Sequence, residues 1–257
     1  MIDHLSYSSI STYLMCPRSW RFRYLDKVEA PTSPALIFGS AFHEAIEGHI
    51  ADRHTAPGIS LIDRWETAWS TQLESKGNNV AWGKDSTESL HDLGHAMLSD
   101  PGVQGVIEAI RPVMHKGQAL IEEKVELRVP GVPMPVIGYV DVIEEGGVPA
   151  DFKTSARSWS QNRAHEELQA TFYLAALNQM QTPLNLDMRF RYYVFVKNAR
   201  RPQVEIRDTQ RTAADLFWLF GLIRDVWGSI EAGAFPPNPN TWKCSPKWCE
   251  YWEVCRG

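Results

Sequence analysis

Asp141, Asp151 and Lys153 are the densest group of chemically useful side chains in the sequence. Asp141 closes the apolar run VIGYVD, and Asp151 and Lys153 follow in the next run as Asp-Phe-Lys. Residues two apart on a strand face the same side, so Asp151 and Lys153 point together. Gly146-Gly147 between the runs makes a turn that lets them pair as a hairpin, which brings Asp141 toward Asp151. Two carboxylates and an ammonium on one sheet surface suit a hard cation, Mg²⁺ or Mn²⁺, of the kind that keeps waters and binds phosphates. Such a site suits hydrolysis at phosphorus, with a polarised phosphoryl oxygen and an activated water. Lys153 would orient that water or stabilise the developing charge. Taken alone, an Asp-x-Lys also arises as a surface ion pair beside a solvated turn.

Further residues weigh on that choice. Gln169 and Tyr173 in LQATFYLAAL are one helical turn apart and share a face, which taken alone reads sooner as an amphipathic boundary. His43 in FGSAFHEAIE stands early in a helix behind Gly39; a lone histidine there is more often a core or surface residue than a ligand. The four cysteines are Cys16, Cys244, Cys249 and Cys255, three of them within the last fourteen residues. Four thiolates can hold structural zinc or an iron–sulfur cluster, or remain free. The C-x4-C-x5-C spacing lacks the C-x2-C knuckle of zinc ribbons. Arg189–Arg201 carries five basic residues interleaved with Phe190, Tyr192, Tyr193 and Phe195. That mixture suits a single nucleic-acid strand, with charge tracking phosphates and rings stacking on bases. It equally suits a core strand with a solvated basic face.

The elements that must position these residues follow from periodicity. Residues 8–24 read as helix, capped by Ser8 or Ser11 and broken at Pro17. A turn is expected over Pro31–Pro34, then helices over 39–54, 60–75 and 86–110, with a loop at Gly77-Asn78-Asn79. Strands are expected over 119–129, 136–143 and 148–154, a helix over 164–180, a strand over 187–197 paired with 203–209, and a helix over 212–231. Three prolines, Pro236, Pro237 and Pro239, then stop regular structure ahead of a compact tail. The order implies an α/β plan with a small mixed sheet.

Taken together and in order, LSYSSISTYLMCPRSWRFRYL, FGSAFHEAIE, VIGYVDVIEEGGVPADFKTS, LQATFYLAAL and the cysteine tail resemble the PD-(D/E)XK nuclease superfamily. The likeness is to its RecB-like exonuclease branch, which includes the nuclease domains of RecB and AddB and CRISPR-associated and phage exonucleases. The resemblance implies a restriction-endonuclease-like α/β core, with a small mixed sheet flanked by helices. It implies one nuclease domain over 1–257: a helical region to 115, a catalytic core over 116–210, then a helix and cysteine-rich tail. His43, Asp141 and Asp151 would hold Mg²⁺ or Mn²⁺, with the Phe152 carbonyl as an additional ligand. Lys153 would complete the catalytic set, and Gln169 and Tyr173 would line its DNA side. Glu123 or Glu126 matches an upstream acidic residue. No proline precedes Asp141, a departure this branch often shows. Cys16, Cys244, Cys249 and Cys255 would bind a [4Fe–4S] cluster, although the branch often has two residues between the first two tail cysteines and this chain has four.

The expected activity is metal-dependent DNA exonuclease action in recombination, repair or phage/CRISPR DNA processing. The alternative is a non-catalytic iron–sulfur DNA-binding or adaptor subunit of such a complex. The partners would be DNA and a helicase, recombination or CRISPR protein. No P-loop pattern is present, so motor activity would come from another chain. The composition supports a folded chain: 257 residues, 44% hydrophobic and 22% charged, exclude disordered and fibrous classes. No apolar run reaches membrane-spanning length and the start lacks a secretory pattern, so a reducing cytoplasmic setting is expected. The net charge of −5 argues against a simple nucleic-acid coating protein and leaves room for local basic patches.

Overall fold

A computed structural model describes residues 2–53, 58–76, 79–180 and 187–257. The chain opens with β1 (Leu5–Ser6), α1 (Tyr7–Met15) and α2 (Pro17–Tyr24). Ser6, rather than Ser8 or Ser11, caps α1 through a reciprocal pair of bonds with Ser9. Cys16 stands in extended backbone between the two helices, and Pro17 opens α2, where its missing N–H costs nothing. Next come α3 (Pro34–Ala51), α4 (Leu61–Lys76), α5 (Thr87–Leu98) and α6 (Pro101–Ala109). α3 begins at Pro34 rather than Gly39, because Ser33 caps the Leu36 N–H and Pro34 takes the first helical position. The expected turn is therefore a helix start. α5 and α6 are separate helices because Asp100 caps Gly102 and Val103 just ahead of Pro101. The expected helix end at His54, and Gly77-Asn78, lie outside the described residues.

The strands follow: β2 (Met114–His115), β3 (Gln118–Ala119), β4 (Ile121–Leu127), β5 (Val136–Glu144) and β6 (Val148–Ser155). After α7 (Gln161–Glu166) and α8 (Leu168–Gln179) come β7 (Arg189–Val196), β8 (Gln203–Gln210), α9 (Ala213–Glu231) and α10 (Trp252–Arg256). The single helix expected over 164–180 is two helices, because Glu167 is extended. The Arg211 guanidinium donates to the carbonyls of Ala164 and Glu167 at that break and to the Thr171 hydroxyl. It fixes where α8 starts, and so where Gln169 stands.

The main sheet runs β1-β5-β6-β7-β8, with β4 on β5. β4 occupies one edge of β5 along residues 136–142. β1 and β6 must therefore share the other edge, β1 at Val136–Ile137 and β6 at Val142–Glu144. Between them the ladder opens at residues 138–141. Asp141 sits in this gap, inside β5 rather than at its end, since the strand continues to Glu144. β6 and β7 run parallel, linked by the α7–α8 crossover, and β8 closes the sheet as an antiparallel hairpin. β1 has only two residues, too few to carry a periodicity in the sequence.

Two apolar cores cover the sheet faces. On one face α3–α6 pack Phe38, Phe42, Trp65 and Ile107 against Phe152, Tyr193 and Phe195. On the other, α1, α8 and α9 pack Ile10, Phe172, Leu174 and Ile223 against Val140, Phe190 and Tyr192. The result is a mixed sheet with helices on both faces. Among the described residues, no helix is long and apolar enough to cross a membrane.

Candidate metal and active site

The gap between β5 and β6 gathers the sequence's carboxylates. Where the β5–β6 ladder stops, the Phe152 N–H has no strand partner and donates instead to Asp141 Oδ2 at 2.6 Å. In a strand, the N–H and C=O of one residue leave on the same side, so the Phe152 carbonyl faces this gap as well. Asp151 is 2% exposed and points with Lys153, whose ammonium lies 2.5 Å from its Oδ2. That oxygen accepts no well-formed hydrogen bond. Oδ1 accepts from the Gln169 amide at 2.7 Å. Gln169 Oε1 accepts from Lys153 at 2.6 Å, and its amide also donates to the Tyr173 hydroxyl at 3.1 Å. Asp151, Lys153, Gln169 and Tyr173 thus form one bonded chain across β6 and α8. Gly138 makes this approach possible, because a Cβ there would stand 2.5 Å from the Phe172 ring and 2.9 Å from Tyr173.

α3 closes the gap from the opposite face. His43 Nδ1 lies 3.5 Å from Asp141 Oδ2. His43, Glu47 and Asp141 offer ligand atoms all within 4.8 Å of one another. Asp151 is outside this trio, its oxygens turned to Gln169 and Lys153. Glu47 was missed in the sequence, although its position one turn after His43 was visible as a shared helix face. Tyr7 was missed as well: its ring stacks on Phe172 at 6.0 Å and its hydroxyl faces the Gln169 backbone N–H. Glu126 is tied to Lys124 at 2.9 Å. Glu122, held at φ +52°, is the acid of that strand that acts on both Asp141 and Glu47.

Burial sets the charges. It pushes Asp141 up to about 6, against the pull of Lys153 and the Phe152 N–H. It pushes Asp151 up to about 6 as well, again opposed chiefly by Lys153. Burial, then repulsion from Asp141, Glu122, Asp151 and Glu44, pushes Glu47 up to about 8. Burial holds His43 down at about 4, with Lys153 adding to the effect and Asp151 opposing it. At neutral pH the imidazole is therefore neutral, which is its ligating form. One cation, Lys153, faces several crowded carboxylates. Neutral imidazole with carboxylate oxygens is a donor set that fits a divalent ion of the Mn²⁺ or Mg²⁺ kind.

Of the two readings of the basic and aromatic strip, the β7 part takes the core one. Phe190, Tyr192 and Phe195 are fully buried and Tyr193 is 3% exposed. Arg191 is taken up by Glu144 and Asp208, and Arg189 by Asp187. β7 is central and covered on both faces, so its continuous apolar run is packing.

The four cysteines, all free, line one pocket where α2 meets the tail. The tail is stitched to α1 and α2 by Tyr13 to the Ala234 carbonyl, Arg18 to the Phe235 carbonyl, and the Asn238 amide to the Met15 carbonyl. Burial works against a Cys16 thiolate, but the backbone N–H groups of Asn238, Ser19 and Arg18 outweigh it and hold the thiol below its ordinary value. The four residues share the pocket, but among the described residues no three of their sulfurs stand within 4.8 Å of one another.

A profile of the PD-(D/E)XK nuclease superfamily matches residues 4–256. The chain belongs to this superfamily. No curated protein matches the sequence. A crystal structure of a candidate exonuclease from Eubacterium rectale aligns with TM-score 0.62 at 12% identity, covering 99% of this chain and 89% of that one. At that identity the likeness is one of fold. The crystal structure of SSO0001 aligns at 13% identity over 96% of both chains, with a TM-score of 0.37, too low to carry an argument.

Proposed function

We propose that the chain is a metal-dependent DNA exonuclease, acting as a single nuclease domain over residues 1–257. The observation that carries this is the bonded chain Asp151–Lys153–Gln169–Tyr173 facing His43, Glu47 and Asp141 across the β5–β6 gap. His43, Asp141, Asp151 and the Phe152 carbonyl would hold Mg²⁺ or Mn²⁺, with Glu47 at the same position. Such an ion supplies Lewis-acid polarisation of a phosphoryl oxygen and lowers the pKa of water. The protein's own contribution is placement. The Phe152 N–H fixes Asp141 Oδ2. Gln169 bonds both Asp151 and Lys153 and so fixes the ammonium, which would meet the negative charge that grows on the scissile phosphate. Tyr173 and Tyr7 wall the α8 side, where the substrate strand would lie.

Cys16, Cys244, Cys249 and Cys255 would hold a [4Fe–4S] cluster in a structural role; what supports this is that all four line one pocket, together with the resemblance of the motifs. Work in DNA recombination, repair or phage/CRISPR processing, in the cytoplasm and beside a helicase or recombination partner, fits the resemblance of the five ordered motifs. The deciding experiment is Mn²⁺-dependent digestion of end-labelled single- and double-stranded DNA, linear and circular. Degradation of linear DNA alone, abolished by Asp151→Ala and Lys153→Ala, is the expected result. Equal digestion of circles would replace exonuclease with endonuclease. No cleavage of any substrate would favour a DNA-binding adaptor.

A further inference from the structure

We propose that Trp242 and Trp248 form a stacking platform for the bases of a single DNA strand, beside the cysteine pocket. The proposal rests on the reading of the chain as a DNA nuclease. Trp242 is 68% exposed and Trp248 53%, unlike the buried rings of β7. Their centroids lie 6.0 Å apart at 73°, an edge-to-face pair standing at the surface. Paired exposed aromatics of this size mark an interaction surface rather than a core.

The surrounding charge selects the partner. The Lys247 ammonium stands 4.8 Å over the Trp248 ring, and the Arg256 guanidinium 5.2 Å over Trp252. Arg18 and Arg256 line the adjoining pocket. Among the acids of the tail, Glu250 is engaged by Lys243 at 2.9 Å, and only Glu253 is left exposed. Exposed rings beside cations that pair with no carboxylate among the described residues are what a phosphate-linked strand of bases requires: Lys247 and Arg256 lie over tryptophan rings, and Arg18 bonds a backbone carbonyl.

The segment leading to the platform is tied down. The bonds from Tyr13, Arg18 and Asn238 pin the segment leading to it onto α1 and α2. α1 has nine residues, with Tyr7 beside Gln169 at one end and Cys16 following the other. At about 1.5 Å per residue, the helix spans about 13 Å from Tyr7, on the carboxylate side, to the end followed by Cys16, which lines the cysteine pocket.

The test is fluorescence anisotropy of the full-length protein with a labelled dT oligomer of about 16 nucleotides, in Ca²⁺ in place of Mn²⁺. Trp242→Ala and Trp248→Ala should each weaken binding by about five- to a hundredfold. Phenylalanine at either position should restore most of it, and leucine should not. Trp218→Ala, an exposed tryptophan on α9, should leave affinity unchanged. Wild-type affinity in the leucine variants would overturn base stacking at these positions, and wild-type affinity in the alanine variants would overturn the proposal outright. A second measurement uses no variant: photocrosslinking of the wild type to a 5-bromodeoxyuridine oligomer should give adducts on peptides carrying Trp242 or Trp248, and adducts confined elsewhere would overturn it. If the wild type cuts DNA while the variants bind normally, the platform fails and the nuclease reading stands. If it cuts nothing yet binds through these rings, the platform stands and the nuclease reading fails.

Discussion

Glu47 offers the sharpest physical test of the site, because it holds a carboxylate where several others already repel it. Its value rises from an unfolded 4.5 to about 8 in the folded chain. A raised carboxylate contributes stability that is complete below 4.5 and is lost as pH climbs through 8. Asp141 and Asp151 behave alike but titrate by about pH 6. His43 acts with the opposite sign: its folded value near 4 costs stability as pH falls below its ordinary 6.5. The two effects overlap between pH 4 and 6.5 and obscure each other. Above 6.5 only Glu47 of this group still titrates. From there to pH 8 it spans about one and a half pH units, which is about 2 kcal/mol. For a chain of this size that corresponds to about 4–8 °C in Tm. Thermal melts in EDTA should therefore fall by that amount between pH 6.5 and 8. Glu47→Gln, which cannot ionise, should flatten the slope. Mn²⁺ should restore wild-type stability most at the higher pH, where the carboxylate is free to ligate. A wild-type melt in EDTA that is flat or rising over this window would refute the crowded-carboxylate account. So would a Glu47→Gln slope equal to that of the wild type.

Other outcomes follow from the same geometry. Lys153→Met should lower kcat about a hundred- to a thousandfold while Mn²⁺ still binds by calorimetry, since the ammonium acts on developing charge. Gly138→Ala should destabilise the fold by about 1–3 kcal/mol in urea melts and reduce activity, because the new methyl drives Phe172 and Tyr173 away and carries Gln169 with them. Gly94→Ala, with its Cβ 2.1 Å from the Trp65 ring, should cost similar stability through the helical layer. Anaerobically purified protein should be coloured and contain iron, and Cys249→Ser should lose both; a colourless protein with stoichiometric zinc would replace the cluster with a structural zinc.

The parts of the fold legible in the sequence were those written in local chemistry. Pro17 breaking the first helix, the Gly-Gly turn before Val148, and the 189–196 strand with its hairpin partner all act within a few residues. The misplacements came from caps that compete locally. Ser6 reaches Ser9 before Ser8 or Ser11 can act, and Asp100 divides what periodicity joins. Glu167 breaks a second apparent helix because Arg211, distant in sequence, binds the carbonyls exposed there. No local pattern carries that information.

The site divides along the same line. Asp151 and Lys153 were legible because a strand fixes the direction of residues two apart, whatever the rest of the chain does. Glu47 and the β7 aromatics were not, and for one reason. A helix face or a run of aromatic residues states what can be buried or exposed, and only the neighbours decide which. β7 lies between two strands and two helical layers, so its rings became core and its arginines became surface ion pairs. α3 packs over the β5–β6 gap, so Glu47 became a fourth acid where Asp141, Asp151 and Glu122 already repel one another. An arrangement in which burial and repulsion raise three carboxylates together is costly for the folded chain by itself. It is favourable only with positive charge added, and Lys153 alone is too little to restore the ordinary values. The same crowding that weakens the fold at high pH is therefore what draws a divalent cation to the gap.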